Sequence, residues 1–373
     1  MKKILYSLIV TILSACTLIA QPVNKNVQLA ILFDTSNSMD SLIDQAKSRI
    51  WNIVNEVSTL TYQGRSPNLE IAIYQYGNDG LESSQNYIQQ VVNLTSDLDL
   101  ISQRLFGLRT NGGSEFCGAV IGKSLGDLNW SSDPTDLKMI YIAGNESFKQ
   151  GPIDFKKECK KAADRGIFIN TIFCGDYNQG VNLFWKEGAT CSKGDYFNID
   201  SDRKVVQIDT PYDQEIMHYN DSLNGTYYGY GALGGMKKAA QAREDGNAMS
   251  ESINVAADRA SVKSKTVYSN SSWDIIDAVE KGDININELS EEELPKEFKG
   301  KTNKEKEVIL EQKKTERLLY QKKISDLSKK RGKYIQEEKD KIASQSGEKV
   351  DDFGSSINRS ILEKAKVNGF EKK

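Results

Sequence analysis

The sequence is poor in histidine, with one such residue, His218, among 373. A metal site built on several imidazole ligands is therefore excluded, and a catalytic triad would have to use this single residue. The chain contains no Cys-x-x-Cys pair, which argues against zinc-ribbon and thioredoxin-like chemistry. It also lacks the G-x-x-x-x-G-K-[ST] loop that cradles nucleotide phosphates.

The sequence also lacks a dominant sign of charge. Lys and Arg number 49 and Asp and Glu 52, which gives a net charge of −3. Near neutrality argues against nucleic-acid binding over a broad basic face. The mean hydropathy of −0.52 excludes a polytopic membrane protein, while a hydrophobic content of 38% is enough for at least one core.

Residues 1–20 have the pattern of an export signal. Two lysines precede a short apolar run that ends at Ala15, too short for a typical transmembrane helix. The Leu-Ser-Ala-Cys sequence ending at Cys16 has the form of a bacterial lipobox, in which Cys16 would become the lipidated first residue. Ordinary cleavage after Ala20 is the alternative. Both routes predict an exported protein, either a membrane-anchored lipoprotein or a periplasmic or secreted one.

Short apolar strands alternate with amphipathic helices from residue 27 to about residue 204. A nearly continuous apolar run at residues 27–33 predicts a buried strand, and residues 42–60 carry apolar positions at helical spacing. The alternation continues through an edge strand at residues 87–94 and a helix at residues 181–189 to a last strand at residues 194–199. It predicts an α/β fold with a doubly wound, mostly parallel sheet, in which ligands bind beyond the carboxyl ends of the strands.

Two further regions follow this domain. Residues 205–293 are expected to form a Gly/Ala-rich connector with helices at residues 236–264 and 273–279. Residues 294–373 are expected to form a charged helical tail. In the tail, a heptad stripe recurs at steps of 4, 3, 4 and 3 and consists of Tyr320, Ile324, Leu327, Arg331 and Tyr334. The stripe needs a partner helix, from this chain or another, so a helical hairpin, a weak coiled coil or self-association is expected. A basic arm for an acidic partner or an anionic surface is the alternative.

Four cysteines would remain after removal of the export signal. They are Cys117, Cys159, Cys174 and Cys191. An even number in an exported protein predicts two disulfides, with unpaired buried thiols as the alternative, and four cysteines allow three connectivities. Because the helices that carry Cys117 and Cys159 are expected to be neighbours on one sheet face, we favour Cys117–Cys159 together with Cys174–Cys191.

A D-x-S-x-S motif directly follows the first predicted strand. Its carboxylate and two hydroxyls, Asp34, Ser36 and Ser38, stand at every second position and converge on one point at the mouth of the sheet. Hard oxygen ligands of this kind suit Mg²⁺, and also Mn²⁺ or Ca²⁺. Ser and Asp also cap helices, so an N-cap cluster is the competing interpretation.

The combination of strand, D-x-S-x-S motif and amphipathic helix resembles the metal-ion-dependent adhesion site of von Willebrand factor A (VWA) domains. The resemblance covers roughly residues 27–200. In that family, a hydroxyl from a Gly-rich loop adds a second element. The spacing here favours Ser114, with Thr110 as the alternative and Glu115 within reach of the ion.

The third element of the family's site, an aspartate after the fourth strand, has no counterpart at the matching place. Asn145 and Glu146 stand one or two residues later and are the candidates to replace it. The resemblance therefore implies a divalent-cation site of degenerate form.

Taken whole, the chain resembles a group of exported bacterial VWA proteins, with a T-N-G-G loop at residues 110–113, an A-G-N-E strand end at residues 143–146 and a charged tail. The resemblance implies binding, since in VWA domains an acidic side chain of a protein partner fills the open position of the ion. We expect an adhesion or envelope-assembly role, no enzymatic activity, no nucleic-acid partner and membrane contact through a lipid anchor only. An envelope enzyme, or a non-catalytic subunit of an envelope complex without metal dependence, is the alternative.

Overall fold

The computed structural model describes residues 25–40, 43–199, 208–346 and 353–372. The predicted export signal, including Cys16, lies outside these residues. Among the helices of the described ranges, none combines the length and apolar character needed to cross a membrane.

A mostly parallel sheet of six strands forms the centre of the first domain, in the order β4-β3-β1-β5-β6-β7. Its six strands are β1 (Asn26–Asp34), β3 (Asn68–Tyr76), β4 (Ile88–Thr95), β5 (Leu137–Gly144), β6 (Ile167–Cys174) and β7 (Tyr196–Ile199). The short strands β2 (Leu60–Thr61) and β8 (Glu371–Lys372) form a separate pair. Only β4, at one edge, runs antiparallel to its neighbour within this sheet. The predicted doubly wound α/β fold is confirmed.

Helices cover both faces of the sheet, because β1 is buried on both faces and needs cover on both. Leu29 and Ile31 join the core beneath α1 and α2, whereas Ala30 and Leu32 join the core beneath α3, α4 and α6. The helices are α1 (Ile43–Val57), α2 (Leu98–Phe106), α3 (Cys117–Asp127), α4 (Phe155–Asp164), α5 (Tyr177–Asn182), α6 (Trp185–Thr190), α7 (Asp213–Asn224), α8 (Gly231–Glu251), α9 (Ile253–Lys263), α10 (Ile275–Lys281), α11 (Asn303–Ser346) and α12 (Phe353–Val367).

Two predicted helices are each divided in the structure. The helix expected at residues 181–189 falls into α5 and α6, because Phe184 adopts a left-handed backbone conformation with φ of 70° between them. The helix expected at residues 236–264 breaks at Ser252, whose extended backbone ends α8 and whose side chain accepts a hydrogen bond from the Val255 amide to cap α9. Helix α7 was not predicted, since its sequence is mostly polar.

The long helix α11 packs against α7 and α9 of the same chain. Ile324 and Leu327 of the predicted stripe are buried there. Arg331 is also buried and donates to the carboxylates of Asp213 at 2.6 Å and Asp258 at 2.7 Å. The partner helix that the stripe requires is therefore supplied from within the chain, chiefly by α7.

After α11 the chain returns to the α/β domain. Helix α12 contacts α1 and β7, and its apolar face enters the core through Phe353, Ile357, Ile361 and Ala365. Phe370 then packs edge-on against Tyr62, with ring centroids 5.4 Å apart, and β8 pairs antiparallel with β2. Residues 353–372 of the predicted tail therefore pack on the α/β domain and do not extend away from it.

The disulfide differs from the prediction. Cys159 is joined to Cys191, with Cα atoms 5.8 Å apart, while Cys117 and Cys174 are buried free thiols. The expected pairs Cys117–Cys159 and Cys174–Cys191 are therefore wrong. The reason is the orientation of the helices: α4 presents Cys159 towards α6, which Cys191 follows, whereas Cys117 at the start of α3 lies 3.7 Å from the Tyr76 hydroxyl.

A buried arginine anchors α11 to the region of α10. Arg317 is 3% exposed, and its guanidinium bonds to the carboxylates of Asp274 and Asp277 and to the Thr226 carbonyl. Asp274 itself is fully buried. Removing the guanidinium would leave the buried carboxylate of Asp274 and the partly buried carboxylate of Asp277 without their counter-charge, which is costly.

Replacing both cysteines of the disulfide, in Cys159→Ala/Cys191→Ala, should lower the free energy of unfolding by about 2–4 kcal/mol, because the unfolded chain regains the freedom of a closed loop. Urea denaturation measures the change. Cys117→Ala and Cys174→Ala serve as controls that keep the crosslink. Peptide mapping without reductant should recover the Cys159–Cys191 pair, and recovery of either originally expected pair would contradict the structure.

Arg317→Met should lower the free energy of unfolding by about 3–5 kcal/mol, since it leaves the buried Asp274 carboxylate and the partly buried Asp277 carboxylate without their counter-charge. Lys333→Met on the same helix is the control, because the Lys333 side chain is 80% exposed and its loss should cost less than about 1 kcal/mol. Equal effects of the two substitutions in urea denaturation would contradict an anchoring role for Arg317.

Candidate metal site at the strand ends

The carboxyl ends of β1, β3 and β5 meet at one edge of the sheet. Asp34 ends β1 and lies opposite Tyr76 of β3, while β5 ends at Gly144 on the other side of β1. Because β1 lies in the interior of the sheet, Asp34 is fully buried, although an aspartate side chain is ionised when it is exposed to water at neutral pH. A buried carboxylate at this position requires partners that replace water.

The D-x-S-x-S motif folds back over the end of β1. The Ser36 amide donates to Oδ1 of Asp34 at 2.8 Å, and the Ser36 and Ser38 hydroxyls lie 2.8 Å apart. The Asn37 amide donates to the Gly112 carbonyl at 2.8 Å, which joins the motif to the Gly-rich loop. The three oxygen-bearing side chains predicted to converge therefore do lie together.

The second oxygen of Asp34 is the unusual feature of the site. Oδ2 is buried and has no hydrogen-bond partner among the described residues. Burial is the main reason that the pKa of Asp34 is raised to about 7, and the negative charges of Glu115 and Glu146 contribute to the rise against the hydrogen bonds from Ser36. This orphaned oxygen fits a place where a cation would supply the missing partner.

Two glycines allow the strand ends to approach Asp34. A Cβ atom on Gly144 would lie 2.9 Å from Oδ2 of Asp34, and one on Gly77 would lie 2.9 Å from Oδ1. Such contacts are closer than side chains tolerate, so the carboxylate is enclosed by backbone on both sides. Gly77 also has φ of 78°, a conformation that favours glycine.

The Gly-rich loop brings Glu115 to the motif. Glu115 is 5% exposed, and burial raises the pKa of its carboxyl group against a hydrogen bond with the Ser36 side chain. Gln150 donates to Oε2 of Glu115 at 3.1 Å. Of the three candidates that the sequence offered in this loop, Glu115 is the one whose pKa is affected by a side chain of the D-x-S-x-S motif, that of Ser36.

The other two candidates in the loop have different partners. The Thr110 hydroxyl donates to the carboxylate of Asp40. Ser114 forms an isolated backbone bridge with Gly77, in which its amide donates to the Gly77 carbonyl at 3.4 Å. Asp40 was not singled out from the sequence, although it continues the every-second-residue pattern of Asp34, Ser36 and Ser38 and could have been found from that spacing.

Asn145 is the first residue after β5, one residue beyond the place where the resembled family carries an aspartate. Its side-chain oxygen accepts from the Ser38 hydroxyl at 2.9 Å, and its amide donates to the Ser38 carbonyl at 3.1 Å. Glu146 is exposed, and its carbonyl accepts from the Trp185 indole at 2.7 Å. Asn145 therefore belongs to the cluster by direct contact, whereas Glu146 acts on it through charge.

The donor set consists of two carboxylates, two hydroxyls and one amide oxygen. Within residues 25–40, 43–199, 208–346 and 353–372, no group of three or more His, Cys, Asp or Glu side chains is placed to hold a metal ion. A cation at this site would therefore depend on Ser36, Ser38 and Asn145 as well as on Asp34 and Glu115. All of these are oxygen ligands, which suits Mg²⁺, Mn²⁺ or Ca²⁺.

Comparison with known proteins gives structural matches without sequence matches. No protein-family model and no curated protein sequence matches the chain. The conserved hypothetical protein BatB from Bacteroides thetaiotaomicron is 16% identical with a TM-score of 0.37, covering 47% of this chain and 90% of that one. The SpRpn10 VWA domain is 16% identical with a TM-score of 0.35, covering 47% of this chain and 88% of that one.

A third structure is proximal thread matrix protein 1 from the mussel byssus, whose adhesion-site motif is occupied by zinc. It is 12% identical with a TM-score of 0.36, covering 48% of this chain and 43% of that one.

Proposed function

We propose that this chain is an exported protein of VWA type that binds a protein ligand through a divalent cation at the carboxyl ends of the strands. The observation that carries the proposal is the buried, unpartnered Oδ2 atom of Asp34 beside the hydroxyls of Ser36 and Ser38. A carboxylate held in this way is costly without a positive charge nearby.

Five side chains would hold the ion. Asp34, Ser36 and Ser38 belong to the motif, Glu115 takes the place expected for a hydroxyl of the Gly-rich loop, and Asn145 takes the place of the family's aspartate. The cation would supply positive charge that allows Asp34 and Glu115 to be ionised together, and a Lewis-acidic position for an acidic side chain of the ligand. The amide of Asn145 in place of an aspartate removes one negative charge, and the carboxylate of Glu115 in place of a hydroxyl adds one, so the donor set keeps two carboxylates.

A binding role is favoured over catalysis by what surrounds the two serines. The Ser36 amide donates to the Asp34 carboxylate, the Ser36 hydroxyl lies 2.8 Å from that of Ser38, and the Ser36 side chain lowers the pKa of Glu115. His218 lies on α7, beside the Tyr219 ring at 5.6 Å between centroids. An activated serine needs a base within hydrogen-bond reach that is itself oriented by a third group, and we propose that this protein is not an enzyme.

The alternative, an envelope enzyme or a non-catalytic subunit of an envelope complex without metal dependence, is favoured by one observation. Ser38 and Asn145 exchange two hydrogen bonds, so both groups are satisfied without a cation. Asp34 is not satisfied in the same way, which is why we place the metal-binding proposal first.

Asp34→Asn should weaken binding of Mg²⁺ and Mn²⁺ by at least about tenfold, because it removes the central negative charge while keeping the shape of the side chain. Isothermal titration calorimetry on the purified protein measures the affinity. Asp164→Asn is the control, since the Asp164 side chain is 66% exposed at the end of α4. Equal heats for the wild type and Asp34→Asn, or no heat in the wild type, would contradict the proposal.

Export is tested by Cys16→Ser in the full chain expressed in a bacterial host. The wild type should appear in the membrane fraction and the variant in the soluble fraction, because lipidation requires the thiol. Ser14→Ala keeps a small residue in the lipobox and serves as the control. Soluble wild-type protein beginning at Gln21 would support ordinary cleavage instead, and an intact Met1 would contradict export.

A further inference from the structure

A groove opens beside the strand-end site, between the β4 edge of the sheet and the end of α2. It has a volume of about 740 Å³, within the range of ligand pockets. Its lining combines amide, guanidinium and a few apolar groups: Gln75, Asn78, Gln89, Val91, Gln103, Arg104, Gly107, Leu108 and Arg109. We call it the arginine groove, and no carboxylate lines it.

The two guanidinium groups of the arginine groove are available to a ligand. Neither Arg104 nor Arg109 forms an ion pair with any residue in the described ranges, and both residues are exposed. Arg109 uses one nitrogen, Nη1, to donate to the carbonyls of Phe106 at 3.1 Å and Leu108 at 2.9 Å. This holds the guanidinium in place and leaves its other N–H groups free for a bidentate contact with a carboxylate.

A third cation lies beneath the groove. Lys47 of α1 is 3% exposed and donates to the same Leu108 carbonyl at 3.3 Å. The carboxylate of Asp44 lies 3.3 Å from its ammonium, so this cation is already paired within the protein. Burial lowers the pKa of Lys47, and the positive charge of Arg109 adds to this effect against Asp44. The positive charge offered to an occupant of the groove therefore comes from Arg104 and Arg109.

The arginine groove is connected to the Asp34 site. Thr35 follows Asp34 directly, and its hydroxyl donates to Oε1 of Gln75 at 3.4 Å. The Asn78 side chain donates to the Arg109 carbonyl at 3.1 Å, and the Asn111 amide donates to the Thr35 carbonyl at 2.9 Å. A ligand that places one acidic side chain at the strand ends would therefore have its neighbouring residues close to this groove.

We propose that the arginine groove binds an extended acidic peptide segment of the protein ligand. The amide side chains of Gln75, Gln89 and Gln103 can donate to and accept from peptide groups, and the two arginines can pair with carboxylates. A peptide is favoured over an acidic polysaccharide because no aromatic ring lines the groove and only two exposed guanidinium groups face it. The inference rests on the proposed function in taking the ligand to be a protein.

The test uses a fluorescein-labelled hexapeptide of alternating Glu and Val, with the matched Gln and Val hexapeptide as the uncharged probe. Fluorescence anisotropy with the full chain is measured in EDTA, where the arginine groove should still bind. Arg104→Gln/Arg109→Gln should weaken binding of the acidic probe at least about tenfold. Arg65→Gln, an exposed arginine elsewhere, should leave it unchanged, and raising the salt concentration should weaken it.

The outcomes separate this inference from the cation site. Binding that persists in EDTA and in Asp34→Asn, but falls in the double arginine variant, supports the groove even if calorimetry finds no metal. Loss of binding in EDTA or in Asp34→Asn, with no effect of the arginines, would place the acidic segment at the cation site and overturn the proposal. The absence of measurable binding, or equal binding of the Gln hexapeptide, would also overturn the proposal. So would a heparin hexasaccharide that binds more tightly than the acidic peptide and whose binding is lost when Arg104 is replaced.

Discussion

The central position of β1 is the constraint on which the rest of the site depends. The strand is hydrogen-bonded to β3 and β5 and covered by helices on both faces, so Asp34 at its end cannot reach water. Its carboxylate must then be satisfied by whatever the neighbouring strand ends and loops provide. Backbone at Gly77 and Gly144 encloses it, the Ser36 amide satisfies one oxygen, and the other oxygen remains without a partner in the described chain.

The helices after the α/β domain brace the loop that completes the site. Helix α2 precedes the Gly-rich loop, and its Asp99 accepts from Arg259 of α9 at 2.6 Å and from the Tyr268 hydroxyl at 2.8 Å. Burial works to lower the pKa of Arg259, but the carboxylates of Asp99 and Asp245 raise it, so the guanidinium stays charged inside the protein. Since a buried ion pair of this kind tolerates little displacement, the region between residues 208 and 281 holds α2, and with it the start of the site loop.

Patterns that involve neighbours in the chain were readable from the sequence. The alternation of strands and helices follows from apolar periodicity, which is local, and the motif beginning at Asp34 lies at the end of a strand because it follows that strand directly. Asn145 was found for the same reason, as the residue after β5. Within the Gly-rich loop, spacing favoured the Ser114 hydroxyl, which stays a prediction, while the buried Glu115 carboxyl group lies close enough to Ser36 for the Ser36 side chain to lower its pKa. A loop with glycines at positions 112 and 113 can turn in several ways, and only the packed structure selects one.

What the sequence by itself determined is therefore the α/β fold, the place of the motif on β1 and the need of the α11 stripe for a partner. Only the tertiary structure decided which parts of the chain that are distant in sequence come into contact. Cys159 pairs with Cys191, α11 packs on α7, and β8 pairs with β2. The physical reason is that a periodic pattern specifies which face of an element is apolar but not which other element will cover it. That choice depends on the packing of all the elements together, and here it brings residues 353–372 back onto the domain that begins with β1.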